Sequence, residues 1–251
     1  MSAFKNYNKE VLREYGYRAT WGLGTNIEVG MVGTFVDGVF RQESTLENYG
    51  ITDMQVKKGR LVDDYNFESK RGVDITFKAS GDASPANSQL AEAEAGFSIH
   101  FDREFSVVFR THQAREIQVQ NAAQIGQQII KLYEEGKWDR DFVVVTNVVQ
   151  AKAATIIISG EKGGHIDISA KGKATVSDID LANLSADLDV KWSSKIEQKM
   201  VAKKGATPLF RIHGIKKGWF RGGKFRAIRD VNNPGSLDGD GWESGFGFAP
   251  M

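Results

Sequence analysis

A chain of 251 residues with 41% apolar and 26% charged side chains is long enough for one large domain, or two small ones, on a self-sufficient core. It has no cysteine, which excludes a disulfide scaffold, thiolate metal ligation, a cysteine nucleophile and a palmitoyl anchor. The net charge of +1 conceals an uneven spread: Lys195 to Arg229 holds eleven Lys and Arg against one acid, Glu197, so that stretch carries +10 and the remainder −9. Such a tract offers a face to phosphates, of nucleic acid or of anionic lipid, or else it is a solvated strand edge guarded by lysines.

The first residues, MSAFKNYNKE, lack the apolar core of a secretory signal, and no window approaches the roughly 18 apolar residues of a spanning helix. A soluble, cytosolic chain is therefore expected. Four prolines against 27 glycines suit strands joined by glycine turns better than a helix bundle.

In chain order, Val11, Leu12 and Tyr15 fall at helical spacing before Gly16, which predicts a short amino-terminal helix with a left-handed cap. Tyr17–Trp21, Ile27–Val32 and Thr34–Phe40 read as strands, with Asp37-Gly38 as a tight hairpin turn. Tyr65, Phe67, Val73, Ile75, Phe77 and Ala79 then occupy alternate positions, interrupted by Ser69 and Arg71. After the polar stretch Ser80–Gln89, one parity stays apolar from Ala91 through Phe97, Ile99, Phe101, Phe105 and Val107 to Phe109, broken by Arg103 alone. The other parity is mostly polar: Glu92, Glu94, Ser98, His100, Asp102 and Glu104. Strands in globular domains run to about five or six residues, so this is the pattern of a long amphipathic hairpin.

Gln120–Glu135 places Ala122, Ile125, Ile129, Leu132 and Tyr133 on one helical face ahead of Gly136, predicting a longer central helix. Phe142–Val149 is an apolar run fit for a strand buried on both faces. A second alternation follows: Ile156, Ile158, Ile166, Ile168, Ala170, Ala174 and Val176, then Leu184, Ala186, Leu188, Val190 and Trp192. The expected fold is α+β: a twisted, mainly antiparallel sheet with two long amphipathic β-hairpins, a short amino-terminal helix and one longer central helix. Two parts are expected, a domain over 1–231 and a short tail over 232–251.

Catalytic and metal chemistry find little support. His100, His112, His165 and His213 are scattered, without an i, i+4 partner or a neighbouring acidic pair. The sequence contains no GxxxxGK[ST], no GxGxxG between strand and helix, and no GxSxG turn. The acids of SLDGDG at 236–241 lack the glutamate that would complete a calcium loop. The chain reads as a non-enzyme without a cofactor.

The long alternations have a physical use in a membrane. A tilted strand needs about 9 to 11 residues to cross a bilayer, and backbone groups in hydrocarbon must be paired within a closed ring of strands. One chain offers four such strands, so a wide ring takes many copies, with the apolar parity on lipid and Glu92, Glu94, Asp102 and Glu104 towards a wet lumen. Arg103 on the lipid parity fits only near the headgroups. A soluble sheet packed on the 120–135 helix is the alternative account of the same pattern.

The run DFVVVTNVVQA at 141–151, directly after an amphipathic helix, resembles the strand that follows a helix in the pore-forming domain of the gasdermin family. The order of parts over residues 5 to 220 is also similar: amphipathic helix, alternating hairpin, helix, apolar strand, second hairpin, and a late strand at TPLFRIHGI, 207–215. The chain resembles the short bacterial or fungal members, in which a brief tail follows the pore-forming domain. The resemblance implies a cytoplasmic inactive monomer, freed by an activating protease to bind acidic lipid, oligomerise with itself and insert both hairpins from the inner face of the cell membrane, as a cell-death or antiviral defence effector. It implies lipid-binding roles for Lys5, Lys9 and Arg13 on the first helix and for Lys203, Lys204, Lys216 and Lys217 in the basic tract. The membrane-inserting residues would be Val73, Ile75, Phe77, Phe97, Ile99, Phe101, Phe105, Ile156, Ile158, Ile166, Ile168, Leu184, Leu188 and Val190. Short bacterial members often carry a lipidated cysteine near the start, and this chain has none.

The tail 232–251 is a candidate inhibitory peptide, with Trp242, Phe246 and Phe248 to dock in apolar grooves. Asp238 and Asp240 would suit a caspase-like protease and Arg229 a trypsin-like one. The runner-up is a soluble β-rich module using the 195–229 tract for an acidic partner such as nucleic acid, since Phe210, Trp219, Phe220 and Phe225 interleave with its charges. The preferred reading involves no nucleic acid.

Overall fold

The computed structural model describes residues 2–22, 26–61, 65–85, 88–91, 94–170, 188–202, 205–216 and 224–228. Among these the architecture is α+β: two helices and mainly antiparallel strands arranged in a ten-stranded body sheet and a separate four-stranded sheet.

Helix α1 (Ala3–Tyr15) begins at Ser2, whose hydroxyl accepts from the Lys5 N–H, and ends at Gly16, left-handed at φ 67°, with its N–H on Leu12 O. Phe4, Tyr7 and Val11 form its buried stripe. The helix spans 13 residues and so does α2 (Ala122–Glu134), so the first helix is not the shorter one. The apolar stripe starts at Phe4, close to the chain start, and carries the helix two turns ahead of Val11, Leu12 and Tyr15. Helix α2 closes as expected: Gly136 donates to Tyr133 O and Lys137 to Leu132 O, with Gly136 at φ 71°.

Strands β2 (Met31–Val36) and β3 (Val39–Thr45) meet at Asp37-Gly38, both at positive φ, the mirror-image turn that suits strand twist. The strand expected at Ile27–Val32 begins only at Met31, because Gly30 turns the chain at φ 86°. A tight pair, β1 (Arg18–Ala19) on β13 (Ala206–Lys216), follows α1.

The spine of the body sheet is β9 (Val143–Ser159), 17 residues long. One of its edges pairs β13 and then β12 (Ile196–Ala202); the other pairs β2 and then β8 (Val107–Val119). On its far edge β8 carries β4 (Val56–Lys58) and β5 (Asn66–Glu68), and β14 (Lys224–Ala227) extends β13. Ile156 and Ile158 therefore belong to the body and not to the second hairpin: they continue the run that starts at Val143, and both are fully buried with Phe109, Val149 and Leu209 beneath α1. Helix α2 packs on Val144 and Ile215, and Gly126 admits β14, since a Cβ there would stand 2.8 Å from the Phe225 ring.

The four-stranded sheet runs β6 (Val73–Lys78), β7 (Gly96–Phe101), β10 (Gly164–Ala170) and β11 (Leu188–Trp192), every pair antiparallel. The alternation from Ala91 to Phe109 is thus not one strand: it is β7 and β8, in different sheets, separated by a corner at Asp102–Ser106 where Phe105 takes φ 58°. The earlier alternation from Tyr65 divides likewise into β5 and β6, with Arg71 at φ 59°. The polar residues that interrupt each pattern, Ser69, Arg71 and Arg103, all fall at these corners.

Candidate functional site

The apolar parity of the two hairpins forms rows across the four-stranded sheet. Ile75, Ile99, Ile166 and Trp192 lie in one row; Phe77, Phe97, Ile168 and Val190 lie in the next. This face packs on Val108, Ile157 and Ile196 of the body. Burial falls towards the edge strand: Ile99, Phe101, Ile166 and Ile168 on β7 and β10 are fully covered, whereas Phe77 on β6, in the same row as Ile168, is 49% exposed. The opposite face carries Asp74, His100 and His165 in one row and Thr76, Ser98, Asp167 and Lys191 in another. Gly96 lets β7 and β10 approach, because a Cβ would stand 2.3 Å from Ile168 O.

The four places where the chain passes between sheets are tied together. Ser159, fully buried, donates its hydroxyl to Arg103 O (2.7 Å) and accepts from the Ser106 N–H (3.0 Å), while its carbonyl accepts from the Phe105 N–H. It therefore joins the exit of the first hairpin to the entry of the second. At the other crossings Val107 N–H donates to Ser69 Oγ (2.9 Å), Gly163 N–H to Phe101 O (2.7 Å), and Gly160 N–H to Lys195 O (2.8 Å). Gly72 fits here only without a side chain, since a Cβ would meet Ser106 Oγ at 2.4 Å. Arg71 and Phe105, both non-glycine residues in the left-handed region, sit at the two corners of the first hairpin, each costing on the order of 1 kcal/mol.

Helix α1 grips those same corners. Asn6 Nδ2 donates to Phe105 O (2.9 Å), the Ser69 hydroxyl donates to the Glu10 carboxylate, and the Tyr15 hydroxyl donates to Asn66 O (2.6 Å). Its outer face presents Lys5, Lys9 and Arg13, exposed and four residues apart, in one line. The helix end is held by Arg211, whose Nε donates to Gly16 O (3.1 Å) and whose guanidinium lies 3.8 Å from the Tyr17 ring centre. Burial, together with its hydrogen bond to Glu116, holds the Tyr17 phenol above its ordinary range.

Other sequence candidates distribute as follows. Val73 and Ile75 are half-buried in β6; Phe105 lies at a corner. Leu188 lies in β11. Lys216 ends β13. Leu184, Lys203, Lys204, Lys217, Arg229, Asp238, Asp240, Trp242, Phe246 and Phe248 lie outside the described residues, as does the whole tail 232–251. Of the aromatics proposed to stack on bases, Phe210 is 1% exposed and Phe225 is stacked on His213 at 5.4 Å, so both serve the fold; Trp219 and Phe220 lie outside the described residues. Lys199 of the basic tract stands over the Trp192 ring at 4.5 Å. Among the described residues no group of three or more His, Asp or Glu gathers at metal-binding distance. None of the described helices is long and apolar enough to cross a membrane.

Sequence reasoning missed Asn6, Glu10 and Ser159, the residues that tie the corners. Each is an ordinary polar side chain whose partner is distant in sequence, and nothing in local pattern marks it. The only available signal was the interruption of both alternations by polar residues.

No family model matches the chain, and no curated protein matches it. Among solved structures, the gasdermin A3 membrane pore, determined by cryo-EM, is similar over 90% of this chain and 95% of that chain, with 11% identity and a TM-score of 0.38.

Proposed function

We propose that this chain is a non-enzymatic membrane pore former whose two hairpins insert together as neighbours in a ring. The observation that carries the reading is the four-stranded sheet, which holds both hairpins in register, with one apolar face and, among the described residues, with β6 and β11 as its ends. Because four antiparallel strands end on opposite directions, β11 of one copy and β6 of the next meet antiparallel, and repetition of the unit leaves no edge once the ring closes. The strands here have six, six, seven and five residues, short of the roughly 9 to 11 that span a bilayer. The sheet is therefore a seed to be lengthened, and the alternation at Ala91, Ala93 and Ala95 on one side and at Leu184 and Ala186 on the other supplies the added length.

Acidic lipid is the partner that Lys5, Lys9 and Arg13 suit, at about 1 kcal/mol per charge near an anionic surface. The same helix holds both corners of the first hairpin through Asn6 and Glu10, with Tyr15 tied to the start of β5, so docking of its outer face on lipid bears directly on the hinges. Activation by removal of the 232–251 tail, through a cut at Arg229, Asp238 or Asp240, completes the reading, with a role in cell death or defence and insertion at the inner face of the membrane.

The test is dye release from acidic and from neutral liposomes by the full chain, before and after limited proteolysis between Arg229 and Gly241. Leakage from acidic liposomes after the cut is the expected result. Silence before and after a cut that leaves the domain folded refutes the reading, and salt-sensitive DNA retention in its place favours the binding module.

A further inference from the structure

We infer that the connection between β6 and β7 is a strap fastening the two hairpins to each other across the polar face of their sheet, with Asp167, Lys78 and Lys191 as its fastenings. What the strap controls rests on the pore-forming reading; that it fastens does not. Of this connection, 79–85, 88–91 and 94–95 are described.

Asp167 of β10 is 1% exposed although its parity places it on the polar face. Its Oδ1 accepts from the Ser88 hydroxyl at 2.8 Å and its Oδ2 from the Gln89 N–H at 2.6 Å. Lys78, the last residue of β6, is likewise 1% exposed, and its Nζ donates to Glu94 O at 2.7 Å. Lys191 of β11 donates to Gln89 O at 3.1 Å and stands 3.8 Å from the Glu94 carboxylate. Leu90, 3% exposed, seals the strap over Gly96, where a Cβ would come 3.2 Å from its Cδ2.

Charged side chains are rarely buried unless something binds them, and here two are buried against one segment through charge-assisted bonds. The fastenings come from both hairpins: Lys78 from the first, Asp167 and Lys191 from the second. The first hairpin cannot lengthen into its own connection until the second lets go of Ser88, Gln89 and Glu94. The two therefore extend together or not at all. Ala91 and Ala95 of the same strap continue the parity of Phe97 and Ile99, a pattern without use in a folded-back loop and suited to a longer β7. In such a lengthened sheet Asp167 faces water, which solvates the carboxylate that the strap now satisfies.

The experiment uses Asp167→Ala, and Ser88→Ala as a second variant that leaves the sheet itself untouched. Hydrogen exchange of the full chain in solution should show the 79–95 amides opening about tenfold faster in Asp167→Ala and several-fold faster in Ser88→Ala, while β7 and β10 stay protected. On acidic liposomes, after proteolytic triggering, the lag before dye release should shorten in the same order. Exchange of the strap at the wild-type rate in both variants overturns the inference, and so does faster exchange with an unchanged lag. Faster exchange in a protein of which no form leaks supports the fastening and refutes the pore-forming reading instead.

Discussion

The body sheet and the hairpin sheet obey different rules. Strand β9 is covered by apolar groups along nearly its whole length and uses all of its pattern: Val143, Val145, Val149, Ile156, Ile157 and Ile158 each have a buried place. The hairpin sheet does not use all of its pattern. Its alternation continues past the ends of its strands to Ala91 and Ala95, which lie outside regular structure, and its apolar face runs out from under the body to Phe77. On the pore-forming reading, a sequence more regular than the structure it occupies serves a second conformation, whereas a sheet in which pattern and burial agree serves as scaffold.

The strongest way to break that contrast is to place a charge in each sheet. Ile156→Asp puts a carboxylate under α1 at a fully buried site and should cost more than about 4 kcal/mol, leaving no cooperative melt. Phe77→Asp, at a half-exposed site on the edge strand, should cost about 1 kcal/mol or less in a thermal melt yet abolish liposome leakage. Equal losses of stability at the two sites would erase the distinction.

A second contrast lies within α1, between the face that grips the corners and the face that meets solvent. Replacing Lys5, Lys9 and Arg13 together by Gln should leave the melting temperature unchanged and weaken binding to acidic liposomes by about 3 kcal/mol, or roughly a hundredfold. Co-sedimentation at low and moderate salt measures it, and an affinity that does not move assigns lipid contact elsewhere.

The smallest effect concerns the body alone. Burial and the neighbouring Arg211 hold the His213 imidazole down to about 4, so it stays neutral in the fold, where Thr146 Oγ1 lies 2.8 Å from its Nδ1 and Phe225 stacks on it. An unfolded chain takes up that proton near pH 6.5. Between these values the unfolded state binds more protons, so stability falls as pH drops from about 6.5 towards 4, by on the order of 2 kcal/mol. In urea melts the stability of wild type should fall more steeply with acid than that of His213→Gln between pH 6.5 and 4, and the two slopes should agree above pH 7.

Both helices, the glycine caps, the Asp37-Gly38 turn and the strands of both hairpins were legible because each follows from local periodicity or turn chemistry. Where the chain changes sheet was not. A period of two looks the same whether residues 97 to 109 form one strand or two, and only long-range bonds such as those of Ser159 reveal the corner at Phe105. The same holds for Ile156 and Ile158, whose parity suited a hairpin but whose partners, Phe109 and Val107, lie in the body. At the candidate site, the apolar rows were readable and the polar fastenings were not: nothing near Asp167 or Lys78 in sequence announces that a loop will bury them.

The most direct test of a sheet with a second conformation uses the absence of native cysteine. Single cysteines at 74–77 and 97–100, and at 91–95, carry an environment-sensitive dye in solution and in acidic liposomes that leak. A second conformation requires that in liposomes positions 75, 77, 97 and 99 report lipid while 74, 76, 98 and 100 report water, and that the same alternation appears at 91–95, where solution spectra show none. A periodicity that stops at residue 96 in the leaking membrane, or no periodicity at all, would contradict it.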